Sequence, residues 1–152
     1  PDQLLRDLDA VLWLAGAEPD RVYAVESQGG PGRCIQVHLG FASGGSALVD
    51  YTNGLPPGDD YQSLQVIARG GAAYADDHQN AQLVYRGGHA LAVRTDARAG
   101  QLAAAAQDFV DALRAGRDPG PGAAEWRRTF ALADAVRRSL ASGRAAAAEA
   151  HA

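Results

Sequence analysis

Apolar residues open the chain at helical spacing. Leu4, Leu5, Leu8, Val11, Leu12 and Leu14 predict a helix over residues 2–14, and Gly16 closes it. After the Glu18-Pro19-Asp20 turn the period drops to two. Arg21–Ser27 reads as a strand. In Cys34–Phe41, residues Ile35, Val37, Leu39 and Phe41 share one face while Cys34, Gln36 and His38 share the other, the mark of a half-buried strand. Ser46–Thr52, Ser63–Arg69, Gln82–Arg86 and His89–Thr95 supply further strands. Ser43-Gly44-Gly45 and Gly87-Gly88 are turns that fold neighbouring strands into hairpins.

The helical period returns near the end. Leu102, Ala106, Phe109 and Leu113 form one stripe, opposite Gln107, Asp111 and Arg114. Beyond the Arg117–Gly122 linker, Trp126, Phe130, Ala133, Val136 and Leu140 line one side of a last helix. Residues 145–152 carry no stripe and are expected to fray. Strands followed by helices, without βαβ alternation, predict an α+β fold: an open, mostly antiparallel sheet with helices packed on one face. One domain is expected over residues 1–144.

Composition narrows the function. With 152 residues the chain is long enough to bury roughly two-thirds of its unfolded surface. A net charge of −4 offers no basic stripe for phosphates, which argues against a nucleic-acid partner. No apolar run is long enough to span a bilayer, and the opening residues do not read as a signal peptide. Cys34 is the sole cysteine, so no intrachain disulfide forms, and a reducing cytoplasm is expected. All 14 basic residues are arginine. The chain therefore has no lysine for a Schiff base, a general acid or a P-loop.

Several motifs carry a resemblance. Phe109-Val110-Asp111-Ala112-Leu113-Arg114-Ala115-Gly116 precedes Asp134-Ala135-Val136-Arg137-Arg138-Ser139-Leu140-Ala141-Ser142-Gly143. At the front stands Asp9-Ala10-Val11-Leu12-Trp13-Leu14-Ala15-Gly16, with Pro19, Val22 and Ala24 following; His38-Leu39-Gly40-Phe41-Ala42 and Ile67-Ala68-Arg69-Gly70-Gly71 lie between. In order and spacing these resemble the C-terminal, non-Rossmann domain of the Gfo/Idh/MocA family, the glucose–fructose oxidoreductase and inositol dehydrogenase type. The resemblance covers nearly the whole chain.

It implies an NAD(P)-dependent sugar-type oxidoreductase, of which these residues are the substrate-side or oligomerisation half. Complete members place the dinucleotide on a Gly-rich turn of a Rossmann domain and carry a Glu-Lys-Pro lysine; neither motif occurs here. No cofactor site is therefore expected in the chain alone, and NAD or NADP would come with a Rossmann-domain partner. The family's Asp-x-x-x-His proton-relay pair maps onto Asp2 and Arg6. A guanidinium stays protonated, so Arg6 can bind an anion or orient a hydroxyl but cannot exchange protons in turnover. No catalysis is expected in isolation, and Asp2, Arg6 and Asp9 are the substrate-side candidates. The resemblance also implies a homo-oligomer through the open sheet face. The alternative is a non-enzymatic binding or scaffold module that self-associates through that face.

Other residues weigh less. Asp76-Asp77-His78 is the most site-like local cluster, a weak metal candidate against the plainer reading of a polar loop. His38 and His89 read as sheet-surface residues, Cys34 as sheet packing, and Gly29-Gly30-Pro31-Gly32 as a turn. Tyr51, Tyr61 and Tyr74 are candidates for lining a carbohydrate pocket.

Overall fold

Leu8 shows how the first helix earns its place: it is 1% exposed, at the centre of the stripe that the apolar spacing outlines. That helix, α1 (Asp2–Ala15), is followed by three strands, β1 (Arg21–Ser27), β2 (Cys34–Gly40) and β3 (Ser46–Thr52). Four more strands come next: β4 (Ser63–Ala68), β5 (Gly71–Asp76), β6 (Ala81–Arg86) and β7 (His89–Arg94). Two helices, α2 (Arg98–Arg114) and α3 (Ala123–Ser142), complete the order. This computed structural model describes residues 2–27, 32–54, 62–76, 81–86, 89–94 and 98–148. The expected α+β class with antiparallel strands holds, and the hydrogen bonding groups the strands into a β1-β2-β3 sheet and a β4-β5-β6-β7 sheet.

The chain forms two compact units. The first comprises Pro1–Pro56 and Pro121–Ala152. In it β2 is the central strand, with Val22 opposite Leu39 on one side and Leu39 opposite Ala47 on the other. The strict alternation puts Val22, Ala24, Ile35, Val37, Leu39 and Val49 on one face, where Leu8 of α1 and Leu132, Ala135 and Val136 of α3 cover them. Leu4, Val11 and Leu12 extend the contact along α1.

Helix α3 is turned from its expected face. The spacing favours Trp126, Phe130, Ala133, Val136 and Leu140, but the buried residues are Thr129, Leu132, Ala135, Val136 and Ser139. Trp126 and Phe130 are 39% and 58% exposed. Two buried hydroxyls with hydrogen-bond partners on β1 and α1 account for the rotation. The Ser139 hydroxyl accepts from the Ala24 N–H at 2.9 Å and donates to the Arg144 carbonyl at 2.7 Å. Thr129 donates to the Asp9 carboxylate at 2.7 Å, with the Glu125 carbonyl a longer second acceptor at 3.2 Å. Satisfied in this way, small polar residues bury at little cost and let the helix approach β1 closely. The helix starts where Glu125 accepts from the Gly122 N–H at 2.9 Å. It stops at Gly143, whose φ of 65° is the left-handed conformation a C-cap needs.

The tail departs from its expected fraying as far as Ala148. Ala146 exchanges two backbone hydrogen bonds with Val22, at 2.8 and 2.9 Å, and Arg138 donates to the Ala147 carbonyl at 2.6 Å. Helical periodicity carries no information about one extended residue docking on a sheet edge. Residues 149–152 lie outside the described residues.

The second unit, Pro57–Gly120, holds the antiparallel meander β4–β7 and helix α2. Strand β5 was not expected: Gly71, Ala72, Ala73 and Ala75 lack the β-branched side chains that announce a strand. Its pairing with β4 and β6 supplies the register instead, with Val66 opposite Ala73 and Ala73 opposite Val84. Helix α2 ends at Gly116, φ 66°, and Arg117 pairs with Asp108 at 2.8 Å. Among the described residues no helix is long and apolar enough to cross a membrane.

Candidate functional site

Two surfaces of the first unit carry chemistry. The first lies along α1, which Asp2 opens and where Arg6, Asp9 and Trp13 recur at spacings of three and four and so share one side of the helix. Arg6 is exposed, on the side of α1 away from Leu4 and Leu8, which pack on the core. Asp9 is half-buried, and its carboxylate is held by the Thr129 hydroxyl, which ties α1 to α3. Trp13 is 81% exposed. The arrangement presents a fixed carboxylate, a permanent cation and an aromatic ring. It can bind and orient a hydroxylated or anionic molecule, but neither Arg6 nor the tryptophan can shuttle a proton. The Thr129–Asp9 bond spans 120 positions and had no signal in the sequence.

The second surface is the open face of the three-stranded sheet. Residues alternate out from the core, so cross-strand rows form: Arg21–Gly40–Ser46, Tyr23–His38–Leu48 and Val25–Gln36–Asp50. Tyr23 and His38 meet at a ring-centroid distance of 6.5 Å. A shallow depression of about 370 Å³, open to solvent, lies over the first two rows, with Ala145 at one side. His38 is where the alternation placed it, at the sheet surface, and Cys34 lies exposed on the same face rather than packed. Sequence reading did not find the depression, because it depends on register and on the docked tail.

At the end of this sheet Arg33 donates two hydrogen bonds to Glu26, at 2.5 and 3.2 Å. These bonds, helped by the guanidinium's charge, hold the Glu26 carboxyl below its ordinary range and raise Arg33. Asn53 braces the pair by accepting from the Arg33 N–H at 2.7 Å.

The remaining candidates separate. Asp76 closes β5, while Asp77 and His78 lie outside the described residues. Among the described residues no group of three or more His, Cys, Asp or Glu side chains gathers to hold a metal. Tyr51 turns toward the core of the first unit, which removes it from any open pocket. Tyr74 is 37% exposed on β5 of the second unit, and Tyr61 lies outside the described residues. His89 begins β7.

Comparison with solved structures finds the same α+β fold in oxidoreductases. UDP-N-acetylglucosamine 3-dehydrogenase GnnA from Acidithiobacillus ferrooxidans matches with a TM-score of 0.71 and 26% identity, over 90% of this chain and 45% of that one. An oxidoreductase from Agrobacterium radiobacter, solved with NAD+, L-tartaric acid and magnesium, matches at 0.76 and 18%, over 95% of this chain and 47% of that one. Levoglucosan dehydrogenase, solved with NADH and L-sorbose, matches at 0.77 and 18%, over 95% and 48%. The fold is that of the C-terminal, non-Rossmann domain of Gfo/Idh/MocA-type oxidoreductases. The chain spans about half the length of the solved structures it matches. No family model matches the sequence. No curated protein matches it either.

Proposed function

We propose that these residues are the substrate-side half of an NAD(P)-dependent sugar-type oxidoreductase, without catalysis of their own. The observation that carries this reading is the coverage. Nearly all of the chain superposes on less than half of relatives that were solved with NAD+ or NADH. The sequence supports it further, since it holds no Gly-rich dinucleotide turn and has Arg6 at the relay position. NAD or NADP then reaches the α1 surface on a Rossmann half, borne by another chain or by further residues of the same polypeptide. Asp2, Arg6 and Asp9 face the substrate. A reducing, cytoplasmic setting suits the exposed Cys34. Calorimetric titration of this chain with NADH and NADPH is expected to show no saturable heat. A micromolar dissociation constant would overturn the proposal.

A second reading is favoured by one feature of the open sheet face. Tyr23, Val25 and Leu48 are 40%, 38% and 55% exposed there, amid His38 and Gln36. Such a mixed surface suits a partly polar, wet interface with a second copy. Light scattering at high micromolar concentration should give the mass of a dimer or larger assembly; a strictly monomeric mass counts against self-association.

A further inference from the structure

We propose that residues 144–148 form a strap that guards the outer edge of β1, and that with the strap lifted this edge pairs with the β1 edge of a second copy. The surface is the rim of the first sheet, in the plane of its hydrogen bonds. It is distinct from the open face and from the α1 surface, and it does not depend on the oxidoreductase reading.

β1 is an edge strand in the order β1-β2-β3. Its inner side is paired with β2 along its whole length, from Arg21–Gly40 to Ser27–Cys34. The outer side runs along Val22-Tyr23-Ala24-Val25, an uncharged stretch with three residues of high strand propensity. A bare edge of that kind is a template for another strand, and folded proteins cover, charge or interrupt it. Here the chain's own tail covers it. Ala146 exchanges two backbone hydrogen bonds with Val22, at 2.8 and 2.9 Å, in an antiparallel bridge. That register puts Arg144 opposite Ala24, where the next ladder bond would fall. Ser139 takes its place: the hydroxyl accepts from the Ala24 N–H at 2.9 Å and donates to the Arg144 carbonyl at 2.7 Å. The buried serine is a relay between strand and strap.

The strap's side chains keep the same period of two. Ala146 and Ala148 are half-buried against the core, while Ala145 and Ala147 are exposed. On the outer side Arg138 donates to the Ala147 carbonyl at 2.6 Å and lies 3.5 Å from the Asp134 carboxylate. Gly143, at a φ of 65°, turns the chain off α3 into this path. The seating is nonetheless slight. One residue pair supplies the direct ladder bonds, and the inward side chains are single methyl groups, which bury little apolar area. A segment held so lightly opens without unfolding the core beneath it.

The test combines amide-resolved hydrogen exchange with light scattering on four proteins: the parent, Ala146→Pro, Ala147→Pro and a chain ended after Arg144. Ala146→Pro removes the donor to Val22. Ala147→Pro leaves it, because in this register the Ala147 N–H faces away from β1. In Ala146→Pro and in the shortened chain, the Val22 N–H should exchange about 100-fold faster than in the parent at low concentration. The Ala24 N–H, held by Ser139, should stay slow and report that the unit is folded. At high micromolar concentration the mass of both should rise above the parent's, and Val22 should regain its protection. A paired edge shields that amide, whereas a paired sheet face does not, so the result separates this contact from pairing through the open face. Ala147→Pro should match the parent. Four results would overturn the strap: Val22 exchange unchanged in the shortened chain; Val22 and Ala24 released together; no gain in mass or Val22 protection with concentration; or Ala147→Pro behaving as Ala146→Pro does.

Discussion

In the first unit Leu8, Leu39, Leu132, Val22 and Val37 are all less than 2% exposed, and so are Thr129 and Ser139. In the second, Ala112 is the one buried residue among the described side chains, while Leu64, Ile67, Leu102, Phe109 and Leu113 stand between 44% and 74% exposed. Both units have complete antiparallel ladders in their described strands. Backbone pairing is therefore not what distinguishes them. A ladder exchanges water hydrogen bonds for internal ones at a small net gain, whereas apolar burial contributes roughly 25 cal/mol per Å². The first unit has a core that stabilises it from within. The second leaves Leu64, Ile67, Leu102, Phe109 and Leu113 open to solvent, the kind of surface that signals a contact still to be made.

The largest expected effect tests this contrast head on. Leu132→Ala removes a side chain 1% exposed from the centre of the first core and should cost about 2–5 kcal/mol in chemical denaturation. Leu113→Ala, at a residue 56% exposed, should fall within about 0.5 kcal/mol. Equal costs would break the comparison, because they would mean that Leu113 is buried in solution.

A middle-sized effect sharpens it. Ser139→Ala strips the Ala24 N–H and the Arg144 carbonyl of a buried partner, at an expected cost of about 1–3 kcal/mol. Ser142→Ala is the control. Its exposed hydroxyl makes long contacts alone, 3.4 and 3.5 Å to the Ser139 and Arg144 carbonyls and 3.3 Å from the Arg144 N–H, and the change should be close to neutral. If the two variants melt together, the buried serine is not what seats α3 on β1.

Which parts of this were readable from sequence follows from what each signal depends on. Period-two alternation located β1, β2 and β3 to within a residue, since their inward and outward residues differ sharply. The alanine-rich β5 had no such contrast and is defined only by its neighbours. The end of α1 followed from Gly16, which has a positive φ. The face of α3 did not follow, because Thr129 and Ser139 look polar until their partners, 120 and 115 positions away, are known. For the candidate site, Arg6 and Asp9 were readable on α1 through the family resemblance. The depression over Arg21, Gly40 and Ser46 was not, because three separated segments and a docked tail create it.

The smallest expected effect concerns charge at the rim of the first unit. Glu26 is hydrogen-bonded by Arg33, which lowers its carboxyl from the ordinary value of 4.5. A carboxyl depressed in the folded state binds a proton less readily there than in the unfolded chain. Its contribution is therefore fully present above the unfolded value and is lost as pH falls through the lower folded one. The pair is partly open to water, with Arg33 58% exposed, so the contribution is modest and is screened by salt. Glu26→Gln keeps the shape and removes the charge. Melting temperatures of both proteins, measured from about pH 6 down to about pH 2.5, should show the parent ahead at the top of the range. The gap should narrow below about pH 4.5, and it should shrink in high salt at every pH. A gap that persists or widens on acidification would mean that Glu26 acts through shape rather than charge, and that the rim adds nothing electrostatic to a unit already held by its core.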